Sequence, residues 1–412
     1  MDHDIIYLDN GDTTRIDDDV LDLMLKYYRD SYGNPVSLHN LGIEADENLL
    51  WARNTIAGSV NAAPEEIIFT SGATESNNMA INGVAEYLRN KGNHIIISSI
   101  EHSSVKAVAH RLKSEGYKVD EVRVDSEGFL DIEDLKSKFK VTTVLVSVIY
   151  ANFEIGTVQN IEEIGKICRE KGVLFHTDAA QAFGKLKIDV KKENIDLMTF
   201  NAHKNHGPKG IGALYIRKGV KLKKLMEGGS HEFNLRPGTE NLPAIMGFAK
   251  SAEIAYRDLE ANSKSIIKLR DRLIEGLTKI DHITLNGPKG ENLGMRLPHN
   301  VDITFHYIEG EAILMHLSLR GVCVSSGSAC SSKTLEPSHV LTAIGLKHEQ
   351  AHGSIRFTLS KYNTENEIDE TIKNVTEVVS ILRSMSSFIP EEHSELLNQN
   401  AKTFYKNKNN GE

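Results

Sequence analysis

The 412-residue chain has only three cysteines, Cys168, Cys323 and Cys330. That is too few for a disulfide framework and suits thiols in a reducing compartment. No apolar run approaches the roughly 20 residues that span a bilayer. Positive charge is also in short supply: 48 Lys and Arg stand against 57 Asp and Glu, a formal charge of -9. A general nucleic-acid binder needs a basic face, so no direct nucleic-acid partner is expected. The opening MDHDIIYLDNGD is acidic and has neither the basic nor the apolar segment of a secretory leader. These absences lead us to expect a cytoplasmic protein without a membrane partner.

Apolar material, by contrast, is plentiful at 40% of residues. It can fill roughly two to three domain-sized units. Short apolar runs recur along the first half of the chain: EEIIFT (65–70), HIIISS (94–99), KVDEVRV (118–124), TTVLVSVIY (142–150), GVLFHTD (172–178), DLMTFN (196–201) and GALYIR (212–217). Several are nearly continuous in Ile, Val and Leu, as strands covered on both faces must be. Helical stretches lie between many of them. In SSVKAVAHRLKSEG, Val105, Val108 and Leu112 share one face and Gly116 provides a stop. The alternation predicts an α/β fold built on a mostly parallel or mixed sheet of seven strands. From 243 to 279 the pattern is helical without strand breaks. The last strong helix opens at a capping box, Thr364 with Glu367, and carries Ile368, Ile372, Val375 and Val379 on one face. We expect a large domain over 15–255, a smaller α/β domain formed by 1–14 and 256–388, and a disordered polar tail at 389–412.

Three segments suit a phosphorylated pyridine. FTSGATESNN (69–78) follows a strand and opens a helix, so small residues and the helix N-terminus can meet an anion. HTDAAQAFG (176–184) puts Asp178 at a strand's end, where it either faces a pyridine nitrogen or caps a helix. NAHKNHGPKGIGALY (201–215) holds Lys204 in a loop just after a strand, where an amine can form an imine and then shuttle protons. His203 and His206 lack a third ligand, so no metal is expected. Phosphate turn, acid and lysine, in that order and each at a strand end, match a cofactor lying along a sheet's carboxyl edge.

With these motifs in place, the chain resembles the cysteine desulfurases of the NifS/IscS type, class V enzymes of pyridoxal-phosphate fold-type I. Further markers of the resemblance are YGNPVSLHNLG (32–42), EH (101–102), EIGTVQ (154–159), RPGTENLPA (236–244), SSGSACSS (325–332), LEPSHVL (335–341) and SIRFTLS (354–360). The likeness runs from about residue 6 to 388. It implies pyridoxal 5'-phosphate bound as a Schiff base on Lys204, His102 stacked on its ring, Asp178 at the pyridine nitrogen and Gln181 at the ring hydroxyl. Ala73, Thr74 and His203 would contact the phosphate, with Thr239 reaching it across a homodimer interface. Arg356 would clamp the substrate carboxylate beside Arg236. Cys330, in a Gly/Ser-rich segment expected to be mobile, would take sulfur from L-cysteine as a persulfide. His102 is a candidate base for that thiol. The sulfur would pass to an acceptor such as an iron–sulfur scaffold or a tRNA-thiolation enzyme. Cys168 and Cys323 read as core residues.

Four positions depart from that family's pattern. Phe153 stands where a second Asn is usual, leaving Asn152 as the remaining amide for substrate. Asn201 replaces a phosphate-binding Ser and can still donate. Asp12 replaces Ala in the N-terminal motif, and Pro237 replaces Ser after Arg236. Other readings are a different class V enzyme, such as an aminotransferase or selenocysteine lyase, or a weakly active partner in sulfur assembly. An aminotransferase has no use for Cys330, which separates the first of these.

Overall fold

The computed structural model describes residues 5–326 and 337–386. Strand β1 (Ile6–Tyr7) comes first. It is followed by β2 (Ile67–Thr70), β3 (His94–Ser98), β4 (Lys118–Val122), β5 (Thr143–Ser147), β6 (Leu174–Asp178), β7 (Leu197–Asn201) and β8 (Gly212–Ile216). The last seven form one sheet, ordered β2-β8-β7-β6-β5-β3-β4. Pairing is parallel from β4 across to β7, while β8 runs antiparallel to both β7 and β2. The seven strands are therefore those expected from the apolar runs, in a mixed, mostly parallel sheet.

Burial on both faces follows from that pairing, because each parallel connection must cross over a face of the sheet. Helices α1 (Asp18–Arg29) and α2 (Asn40–Ser59) pack with the helix Leu242–Arg257. That side receives alternate strand residues such as Phe69, Ile96, Val146, Phe175 and Phe200. Helices α3 (Ala73–Tyr87) and α4 (Ser103–Ser114) bring Met79, Ile81, Val105, Val108 and Leu112 to the other set, Ile68, Ile95, Ile97, Leu145 and Leu214. The period of two along each strand thus fills two separate cores.

A second layer has its own sheet. Strands β9 (Ile283–Leu285), β10 (Asn300–Phe305), β11 (Val322–Cys323), β12 (Ser325–Ser326) and β13 (Ser354–Thr358) complete the described set. Four of them pair antiparallel in the order β12-β13-β10-β9, and β1 joins β11 in parallel. Ile6 and Leu8 enter this layer's core with Leu273, Ile303, Phe357, Ile368 and Val375. The helix Glu365–Met385 starts at the expected capping box, in which Thr364 accepts from the Glu367 N–H and donates its own N–H to Glu367 at 2.7 Å. Among the described residues, no helix is long and apolar enough to cross a membrane.

Two buried carboxylates lock the scaffold near the sheet's carboxyl edge; Glu101 stood in the sequence only as part of the EH motif, and Glu232 carried no signal. Glu232 accepts both guanidinium arms of Arg53, at 2.6 and 2.8 Å, and the backbone N–H of Phe69 at 2.7 Å. Glu101 accepts from Ser98 Oγ at 2.5 Å and from the Ile149 N–H at 2.6 Å, joining the exits of β3 and β5. Burial pushes the Glu101 carboxyl up to about 8.

Two outcomes follow. Removing one partner of a buried ion pair leaves an uncompensated charge, so Glu232→Ala should lower stability by about 3 kcal/mol or more in a denaturant titration. Glu101, raised above its unfolded pKa, contributes stability that is whole below about pH 4.5 and is lost as pH rises towards 8. Glu101→Gln keeps an acceptor for both bonds but cannot ionise. Its stability relative to wild type should therefore improve between pH 5 and pH 8 by on the order of 3 kcal/mol, read from unfolding midpoints at the two pH values.

Candidate active site

Four loops leave the carboxyl edge of the large sheet side by side. After β2, Ser71 and Gly72 lead into α3. The exit of β3 delivers Glu101 and then His102, the N-cap of α4. Strand β6 ends on Asp178, and β7 ends on Asn201, with His203 and Lys204 beyond. Strand β8 starts at this edge with Gly212, where a Cβ would lie 2.8 Å from the Gly72 Cα and 2.8 Å from the Phe200 carbonyl oxygen. A glycine is needed there for β8 to pass the entry of α3.

These ends wall a cavity of about 540 Å³, within the usual range for small-molecule sites. Ala73, Thr74, His102, Asp178, Gln181, Asn201, His203 and Lys204 all line it, as do Asp12 and Phe153. Ten of the residues singled out in the sequence are thereby brought together. Arg236 and Thr239 line an adjoining cavity of about 230 Å³, and Arg236 Nε donates to Glu75 at 2.9 Å. Asn152 turns away from the cavity. Its Oδ1 accepts from the N–H groups of Glu154 and Ile155, and its Nδ2 donates to the Ile100 carbonyl. Cys330 lies outside the described residues, as does the tail beyond 386. Cys168 is buried and Cys323 half-buried, both as free thiols.

A hydrogen-bond chain organises the floor of the cavity. Asp178 accepts from Asn77 Nδ2 at 2.7 Å through one oxygen and from the Ala180 N–H at 2.9 Å through the other. Asn77 also donates to Ser104 Oγ at 2.8 Å, which lies 2.8 Å from His102 Nδ1. The Ser104 N–H donates to the same ring nitrogen at 3.2 Å. With Nδ1 accepting, the neutral imidazole carries its hydrogen on Nε2. Burial lowers the His102 pKa despite the attraction of Asp178, so the ring is neutral near pH 7.

The N-terminus of α3 has no side-chain cap and can receive an anion. The buried acceptors Gln181 Oε1 and Asn201 Oδ1 have no hydrogen-bond partner among the described residues and could take a donor such as a ring hydroxyl. Burial and the nearby amines of Lys204, Lys185 and Lys209 push His203 down to about 4. A helix N-terminus, a doubly held carboxylate, an amine and neutral ring donors together fit a phosphorylated pyridine aldehyde.

The N-terminal segment forms the remaining wall. The Thr14 N–H donates to the His203 carbonyl at 2.9 Å, and Gln181 Nε2 donates to the Gly11 carbonyl at 2.8 Å. Behind Asp12 lies the buried Arg356. It donates to Asp12 at 2.7 Å, to Asp9 at 3.4 Å and to the Phe153 carbonyl at 3.1 Å. The Phe153 ring meets His102 edge-on, with centroids 5.4 Å apart. Asn77 was quoted in the sequence as part of a motif but given no task. Its position four residues after Ala73, on the same helix face as the anion turn, is the signal that marks it.

Comparison with known proteins supplies the family. Residues 6–371 match the class-V aminotransferase family. The cysteine desulfurase IscS of Methanosarcina thermophila is 46% identical over 391 residues, 95% of this chain and 96% of that one. IscS of Dictyoglomus turgidum is 45% identical, over 94% of this chain and 97% of its own. Among solved structures, a NifS-like protein superposes with a TM-score of 0.86 at 40% identity, covering 92% of this chain and 100% of its own. SspA, solved in complex with cysteine, gives 0.77 at 35% identity, over 87% and 100%. This chain therefore belongs to the class-V aminotransferase family, among its pyridoxal-phosphate-dependent cysteine desulfurases of the IscS/NifS type.

Proposed function

We propose that this protein converts L-cysteine to L-alanine and takes the sulfur onto Cys330 as a persulfide. The observation that carries the reading is the single cavity in which the Lys204 amine, the Asp178 carboxylate, the His102 ring and the N-terminus of α3 meet. Pyridoxal 5'-phosphate, when bound there, supplies an electron sink that makes the substrate's sulfur electrophilic.

The chain's own groups have separable tasks. Lys204 Nζ would hold the cofactor covalently and, when free, would carry the substrate's Cα proton. Asp178, immobilised by Asn77 and the Ala180 N–H, would serve the pyridine nitrogen. Gln181 serves the ring hydroxyl. Ala73, Thr74, Asn201 and His203 hold the phosphate at the start of α3, where the helix dipole favours an anion. His102 would stack on the cofactor ring and hydrogen-bond the substrate through Nε2–H, its neutral imidazole being the form that can take up a proton. Arg356 receives the substrate carboxylate, a task suited to a planar fork of donors. Asn152, committed to its own turn, takes no part.

Both ends of the segment carrying Cys330 are fixed beside this cavity. On one side, Ser325 and Ser326 pair with β13. On the other, Ser338 Oγ donates to Glu154 at 2.6 Å, and His339 Nε2 lies 2.9 Å from the Glu101 carbonyl oxygen. We assign the smaller domain, 1–14 with 256–388, the work of presenting that segment to the large domain, 15–255. The reaction balances as cysteine plus enzyme thiol giving alanine plus enzyme persulfide. From Cys330 the sulfur passes to an acceptor protein, an iron–sulfur scaffold or a tRNA-thiolation enzyme, in the cytoplasm. A homodimer is supported by the exposed apolar side chains Tyr28, Tyr32, Val36, Leu38, Ile43 and Trp51 of α1, α2 and the segment between them. Thr239 would serve the partner's site across that interface.

Cys330→Ala should retain the visible absorption of bound cofactor and lose sulfide release in the presence of a thiol reductant by at least about a hundredfold. Lys204→Ala should lose both turnover and the absorption of the lysine-linked cofactor. Wild-type turnover by Cys330→Ala would overturn the assignment.

A further inference from the structure

Arg356 is almost fully enclosed, with 4% of its side chain exposed, yet its fork is already engaged by carboxylates. Asp12 sits on Nη2 at 2.7 Å and Asp9 at 3.4 Å, while Asp12 itself keeps 41% of its side chain open on the cavity side. We propose that Asp12 is a specificity-determining residue, a resident carboxylate that fills the guanidinium site and that an amino-acid substrate must displace. This rests on the functional reading above in assigning the substrate carboxylate to Arg356.

The turn that presents Asp12 is held from three sides. The Gly11 N–H donates to Thr358 Oγ1 at 2.7 Å, and the Gly11 carbonyl accepts from Gln181. Asn10 Nδ2 donates to the Thr358 carbonyl at 2.9 Å, and the Asp12 N–H returns to the Asp9 carbonyl at 3.1 Å. A Cβ at Gly11 would approach Thr358 to 2.9 Å, so the backbone lies hard against β13. The backbone of Asp12 therefore cannot retreat, but its side chain can swing into the open cavity. Among the described residues, its other oxygen is touched by Ser325 Oγ alone, at 3.5 Å.

Charge accounting gives the consequence. One guanidinium already faces two carboxyl groups, and Arg356 holds Asp12 ionised although burial opposes it. A substrate carboxylate must replace Asp12 on the fork and then lie beside it, two like charges sharing one cation. A unit charge about 5 Å away is expected to weaken anion binding by at least about tenfold. A ligand whose carboxylate is replaced by a neutral amide is spared that repulsion. Asp12 thus handicaps carboxylate ligands selectively, which a wall residue of purely structural role would not do.

The test is calorimetric titration of the cofactor-loaded wild type, Asp12→Ala and Asp12→Asn with L-alanine and with L-alaninamide. Both variants should bind L-alanine at least tenfold tighter, change L-alaninamide by less than twofold, and lower KM for L-cysteine in parallel. Equal gains for both ligands, an unchanged or weaker L-alanine affinity, or a gain in Asp12→Ala that the isosteric Asp12→Asn does not share would each overturn the proposal. Failure of the wild type to convert L-cysteine would sink the functional reading instead, while the two-ligand comparison would still decide the role of Asp12.

Discussion

Parallel pairing is the constraint on which the rest of this molecule depends. Strands β3 to β7 run the same way, so each loop that follows them emerges at one edge, and helices must cover both faces. Residues far apart in the chain, such as Ala73, His102, Asp178 and Lys204, become neighbours around one cavity for that reason. The antiparallel strand β8 completes the edge, and Gly212 lets it fit against the start of α3.

Within that frame, identical functional groups are given different characters by their surroundings. Glu101 lies deep in the scaffold and is pushed towards the neutral form by burial. Asp178 is held by two N–H donors, which fix the orientation of its carboxyl group in the cavity. Asp9 and Asp12 share one arginine. Burial and Asp12 raise Asp9 to about 6, whereas Arg356 keeps Asp12 low against the penalty of burial. The same logic applies to His102, whose N-capping bonds with Ser104 settle which ring nitrogen bears the hydrogen.

Much of this was legible in the chain. All seven apolar runs became strands of one sheet, because continuous Ile, Val and Leu can be satisfied only between covered faces. Thr364 with Glu367 capped its helix, since that bond needs only local geometry. Motifs at strand ends also told which residues would gather, as topology brings such ends together. The partners 80 or more residues away were not legible: Arg53 with Glu232, Asn77 with Asp178, and Arg356 with Asp12. No periodicity encodes which carboxylate meets which cation across two layers.

The amino-acid sequence alone determined the sheet, the order of its chemistry-bearing loops and the family resemblance carried by those loops. Tertiary structure alone decided how the departures act. Phe153 places its ring against His102 while Asn152 is drawn into its own turn, because the Glu154 and Ile155 N–H groups hold its Oδ1. Asp12, one of several acidic residues near the start of the chain, becomes the occupant of Arg356 only when β13 and the N-terminal turn are packed together. Charge has a sign in sequence, but its partner is set by distance.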